Sequence, residues 1–80
     1  MNWGDKIFVR SSKNRIKILA ALKSEPLSVT DIAKKIDNHR STVSQQLIRL
    51  EKEGFVKCLT PNRANYRVYG ITTKGTKYIE

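Results

Sequence analysis

The 80-residue chain carries sixteen Lys and Arg against seven Asp and Glu, a net charge of +9. That length makes one small domain with a thin core, residues 1–80, and the charge suits a polyanion: nucleic acid first, an anionic membrane surface second. No apolar run approaches membrane-spanning length, no signal peptide is visible, and the single Cys58 cannot form an internal disulfide, so a cytoplasmic, reducing compartment with no membrane partner is expected.

Residues 1–10, MNWGDKIFVR, are hydrophobic for a terminus. Trp3, Ile7 and Phe8 fit the i, i+4, i+5 positions of a short helix, and Val9 leaves an extended reading open. Three large apolar groups at an exposed end dock on the core or on a partner chain. Ser11-Ser12 is a helix start signal, and residues 12–24 follow as a helix. Ile18, Leu19 and Leu22 form its inward face, widened by Ile16 and Ala21, and Lys13, Arg15 and Lys17 lie near its start. Pro26 ends it. Leu27 is extended, as a strand of one or two residues.

Ser28 to Asp31, SVTD, reads as a capping box with Asp in place of Glu. It opens a helix over 28–37 with Ile32, Ala33 and Ile36 inward. Asp37-Asn38-His39 is a tight connection to a helix over 40–53. There Val43, Leu47 and Leu50 recur at i, i+4, i+7 as a core stripe. The opposite face carries Ser41, Gln45, Ile48, Arg49 and Lys52, flanked by Thr42 and Ser44. No acid occurs from Asn38 to Leu50. Small hydroxyls early in a helix let its backbone lie deep in a DNA major groove, where Gln can pair with adenine and Arg with guanine. The same pattern also fits an ordinary surface helix with a polar outer face. Gly54 supplies a left-handed cap, with Phe55 and Val56 placed to fold back on Leu50.

Two β-prone runs, FVKCL and YRVYGI, flank the turn-rich TPNRAN, which makes 55–71 a hairpin with Arg63 at its tip. Between Gly54 and Ile79 there are five basic residues, Lys57, Arg63, Arg67, Lys74 and Lys77, and no acid, a pattern that fits an ordinary solvated basic surface and, more sharply, an arm following a phosphate backbone. Thr72-Thr73 caps a last helix over 73–80, with Tyr78 and Ile79 as apolar anchors and Gly75 as its weak point. A short amphipathic helix, a turn and a longer helix with a polar outer face make a helix-turn-helix. The fold class is α+β: a winged helix-turn-helix with a three-helix core, a β-hairpin wing and short flanking terminal helices.

Enzyme readings fail on inventory. His39 has no evident acid or nucleophile partner and suits capping or a phosphate contact. Cys58 packs as a small hydrophobe on a strand, without a resolving partner. The glycines make no phosphate-binding loop. No cofactor is expected.

The stretches SSKNRIKILAAL, LSVTDIAKKI, RSTVSQQLIRLEKEGFVK and YGITTKG, covering most of Ser11 to Gly75, resemble winged helix-turn-helix transcriptional regulators of the ArsR and MarR type, particularly short single-domain archaeal ones. STVSQQLIRLEKEGFV is the most specific piece. The resemblance implies that Arg40, Ser41, Thr42, Ser44, Gln45 and Arg49 face double-stranded DNA, with Lys52 on the same outer face, and that Arg63 sits on the wing. It also implies a homodimer on a pseudo-palindrome, for which Trp3, Ile7, Phe8, Tyr78 and Ile79 are the candidate contacts. ArsR-type metal sensors carry cysteine pairs and His/Asp clusters, whereas this chain has one cysteine and one histidine, so no metal site is expected. A small-molecule effector is left unassigned. Two other classes remain open: a winged helix used for protein–protein interaction, and one that binds other nucleic-acid forms, including single strands and left-handed duplex.

Overall fold

The computed structural model describes residues 3–62 and 67–79. The order is α1 (Trp3–Arg10), α2 (Lys13–Ser24), β1 (Leu27–Ser28), α3 (Val29–Ile36), α4 (Arg40–Lys52), β2 (Val56–Cys58), β3 (Val68–Ile71) and α5 (Thr73–Lys77). Each expected helix is present, and the ends follow from capping. Ser12, Ser28 and Thr72 stand at N-caps, their side chains accepting from the amides of Arg15, Asp31 and Gly75, which satisfies donors that the first helical turn leaves open. The last helix is shorter than expected: it ends at Lys77, and Tyr78 is its C-cap.

Two helices close in the left-handed region. Asp37, at φ 56°, ends α3. Its amide reaches Lys34 O at 3.4 Å, and that of Asn38 reaches Ala33 O at 2.9 Å. Gly54, at φ 85°, does the same for α4, with Gly54 N on Glu51 O at 3.0 Å and Phe55 N on Leu50 O at 2.9 Å. Both are the paired 6→1 and 5→2 bonds of a Schellman closure. They set the sharp turn into α4 and the sharp exit from it.

The hairpin β2–β3 gains a third strand. The sheet order is β1-β3-β2, antiparallel throughout. Leu27 pairs with Tyr69 and Ser28 with Val68 on one side. On the other, Val56 pairs with Ile71 and Cys58 with Tyr69. Beyond the strand ends, Leu59 N donates to Val68 O and Val68 N to the Thr60 hydroxyl.

The core lies between the helices and this sheet. Val9, Ile18, Leu19, Ile32, Val43, Leu47, Leu50 and Phe55 are fully buried, so α1 to α4 each contribute. Phe55 sits where the chain ends meet: its ring stacks on Phe8, centroids 5.6 Å apart, and takes Tyr78 edge-on at 5.5 Å. The inward face expected for α2 needs correction at one position, and gains a residue not assigned to it. Ile16 is 38% exposed, while Arg15 is buried at 7% exposure. Arg15 occupies the stripe with Ile18, Leu19 and Leu22, and the helix is rolled accordingly, turning Ile16 outward.

Candidate nucleic-acid interface

Helix α4 is mounted on its buried stripe Val43, Leu47 and Leu50. The stripe fixes which side chains face out. Arg40, Ser41, Gln45, Ile48, Arg49 and Lys52 are exposed, and Thr42 and Ser44 are half-buried at the flanks. These are the positions the sequence assigned to an outer face. The first turn holds no acid, and the N-cap residue, His39, makes no side-chain cap bond. The amides of that turn are therefore left open toward an anion, at the positive end of the helix dipole.

Of the acids at the end of α4, Glu51 is engaged by the sheet: its carboxylate accepts from Cys58 N on β2 at 3.2 Å. The Glu53 backbone carbonyl accepts from Lys74 Nζ at 2.8 Å. Lys74 also pairs with Asp5 at 3.2 Å and lies over the Phe55 ring. It thus serves the negative C-terminal end of α4 and ties it to α1, so it is not part of a phosphate-following arm. Lys57 and Arg67 are exposed near the hairpin. Arg63 lies outside the described residues.

The polar contacts made by Asn38 and Arg15, which hold α4 in place, were not read from the sequence. Asn38 donates to the Asn14 amide oxygen at 3.0 Å, fixing the turn to α2. The Asn38 side chain also accepts from His39 N at 2.8 Å. Arg15 donates from Nε to Gln46 Oε1 at 2.9 Å and from Nη1 to Phe8 O at 2.6 Å and Ser11 Oγ at 3.0 Å. Its guanidinium also stacks over the Phe8 ring. Burial, and then the nearby Arg49, push its pKa below the ordinary arginine value. The available signal was an arginine in a core slot of the α2 stripe.

The residues expected to dimerise divide into two groups. Trp3 and Ile7 are 74% and 62% exposed, one turn apart on α1. Phe8, Tyr78 and Ile79 pack against the chain's own core. The two ends do meet: Tyr78 Oη lies 3.5 Å from the Asp5 carboxylate. Among the described residues no group of three or more His, Cys, Asp or Glu could hold a metal, and no helix is long and apolar enough to cross a membrane.

Residues 12–57 match the family model of bacterial regulatory proteins of the arsR family, and these residues are more than half of the chain. The chain belongs to the arsR family. That match runs from α2 into β2 and takes in the whole helix-turn-helix. Its fold is that of the S. aureus MepR–DNA complex, with a TM-score of 0.77 at 23% identity over 95% of this chain. A possible transcriptional regulator for arsenical resistance is similar at TM-score 0.75 and 24% identity, over 94% of this chain and 76% of its own length. The regulator BldR of Sulfolobus solfataricus is similar at TM-score 0.76 and 25% identity, over 85% of this chain. The chain spans 65% of the MepR chain and 50% of the BldR chain. No curated protein sequence matches it.

Proposed function

We propose that this arsR-family chain binds double-stranded DNA sequence-specifically, with α4 in the major groove and the basic wing, including Arg63, on the adjacent minor groove or backbone. The observation that carries this reading is the outer face of α4: exposed Arg40, Ser41, Gln45, Arg49 and Lys52 on a helix held rigidly from behind, with no acid until Glu51. Gln45 and Arg49, one turn apart, read base edges. Arg40 and the open amides of the first turn take a phosphate. Thr42 and Ser44 bound the contact, and Lys52 meets the backbone where the helix leaves the groove. Two copies on a two-fold axis would put their α4 helices into successive major grooves about 34 Å apart. Exposed Trp3 and Ile7 are the isologous contact in that arrangement, with Phe8, Tyr78 and Ile79 as the packed layer beneath.

The test begins with selection of bound duplexes from a random-sequence pool. On the selected site, Gln45→Ala or Arg49→Ala is expected to cost about 1–3 kcal/mol and to relax preference at one or two base pairs, with smaller losses on random DNA. Equal losses on both would reduce the two residues to phosphate contacts. Failure to enrich any duplex would refute the reading.

A further inference from the structure

Ile48 is a large apolar side chain on the otherwise polar outward face of α4. It is 59% exposed, while the core takes Val43, Leu47 and Leu50 from the same helix. With Gln45, Gln46 and Arg49 it lines a shallow depression in the surface. At about 100° per residue it falls on one stripe with Ser41, Gln45 and Lys52, near the middle of the face and not at its edge. Gln46, the other amide of the depression, is held from behind by Arg15, and Ile48 is the apolar member of the outward set, flanking Gln45 on the side away from Arg49.

The surroundings narrow what such a group can meet. Arg40, Arg49 and Lys52 are exposed around it, and no acid occurs from Asn38 to Leu50. Charge complementarity therefore presents this face to a polyanion. In a DNA major groove the apolar feature on the base edges is the C5-methyl of thymine. A β-branched side chain on a helix has essentially one χ1 rotamer, so Ile48 loses little freedom on contact and holds its methyls at a fixed height above the helix. We propose that Ile48 is a specificity residue that reads thymine C5-methyl groups beside the base pairs contacted by Gln45 and Arg49. This rests on the duplex-binding reading above and deepens it: the site this chain selects carries thymine at a position set by Ile48.

The experiment uses the full chain and a duplex selected from a random pool. Each thymine is replaced in turn by deoxyuridine, which removes one methyl and keeps every hydrogen-bonding group. Wild type is expected to lose about three- to fivefold in affinity at one or two positions, the value of one buried methyl. Ile48→Ser and Ile48→Asn, which present no methyl group, are expected to bind the thymine duplex more weakly and to bind thymine and uracil forms equally at those positions. The site of change is on the surface, and circular dichroism with thermal melting checks that the variants fold. A wild type indifferent to every methyl, or variants that keep the wild-type ratio, would overturn the inference. A site that is enriched, depends on Gln45 and ignores all thymine methyls overturns this inference alone. A pool in which nothing is enriched overturns it together with the duplex-binding reading.

Discussion

Replacing Arg15 is the most informative test of how the recognition helix is held. The guanidinium makes three hydrogen bonds, to Gln46 on α4, to the Phe8 carbonyl near the end of α1 and to the Ser11 hydroxyl between α1 and α2. None of these acceptors is a carboxylate. A hydrogen bond to a charged group contributes about 1.5–3 kcal/mol, and three on one side chain are not additive. Against this, removing the cation relieves its burial and its repulsion from Arg49, the two causes that lower its pKa. Arg15→Met keeps the aliphatic stem and loses all donors, for an expected net loss of about 2–3 kcal/mol. Arg15→Lys keeps the charge without the planar fork and should lose about 1–2 kcal/mol. Both are large against the roughly 4–12 kcal/mol available to a domain of this size. Urea unfolding followed by circular dichroism gives the stabilities. Hydrogen exchange should show α1 amides opening faster in the Met variant, because the Phe8 carbonyl has lost its anchor. A Met variant within 0.5 kcal/mol of wild type, a margin about the scatter of surface substitutions, would refute the reasoning, as would a loss with α1 exchange unchanged.

Gly75→Ala should destabilise by about 2–3 kcal/mol or more, since an added Cβ collides with the Phe55 carbonyl oxygen and lies 2.8 Å from Ile71 Cγ1. Gly54→Ala should cost only about 1–2 kcal/mol, because its new Cβ meets nothing nearer than 3.8 Å and the penalty is the left-handed backbone alone; thermal melts that reverse this order would refute the assignment. Arg63→Ala should weaken all duplexes about equally and lower the salt slope of binding by about one unit, and an unchanged slope would take the wing out of the interface. Dimerisation through Trp3 and Ile7 should strengthen with salt, because two chains of net charge +9 repel, and sedimentation of wild type against Trp3→Ala/Ile7→Ala would count against it if both behave alike.

What the sequence reveals and what it hides divide along a physical line. Local chemistry is legible: serine and threonine caps, the α4 stripe, and the glycine after Glu53 each depend on a few neighbouring residues, and all stand where the pattern puts them. Contacts between distant segments are not. The Arg15–Gln46 bond joins residues 31 apart, and Asn38–Asn14 joins residues 24 apart. Nothing in either window announces its partner. Gly75 reads as a weak helix residue in its own segment, yet its lack of a side chain lets α5 pack against the Phe55 backbone. The outer face of α4 was legible because it is the complement of the core stripe, and the stripe is local. Phe8 and Tyr78 could be recognised as apolar groups needing cover, but not that Phe55 supplies it.

That last point changes the role of the chain ends. Phe55 follows the glycine that closes α4, so whatever holds its ring holds the exit of the recognition helix. Phe8 stacks on one face and Tyr78 meets it edge-on, aromatic pairs that each contribute about 0.5–1.5 kcal/mol beyond the area they bury. The Thr72 hydroxyl donates to Gly54 O at 2.6 Å and its amide to Phe55 O at 3.0 Å, while Lys74 bridges the Glu53 carbonyl to Asp5 on α1. Helix α1 therefore reaches α4 at two places: at the C-terminal end of α4, through Phe8 on Phe55 and Asp5 on Lys74, and at the middle of α4, where Arg15 links the Phe8 carbonyl to Gln46. Trimming the chain to the helix-turn-helix alone would strip Phe55 of both aromatic partners and leave a fully buried ring open to water. The terminal segments are thus part of the mount that aims the outer face of α4, and their apolar residues are explained by that duty before any partner is invoked. Trp3 and Ile7 remain outside it, since they project from α1 without joining the core.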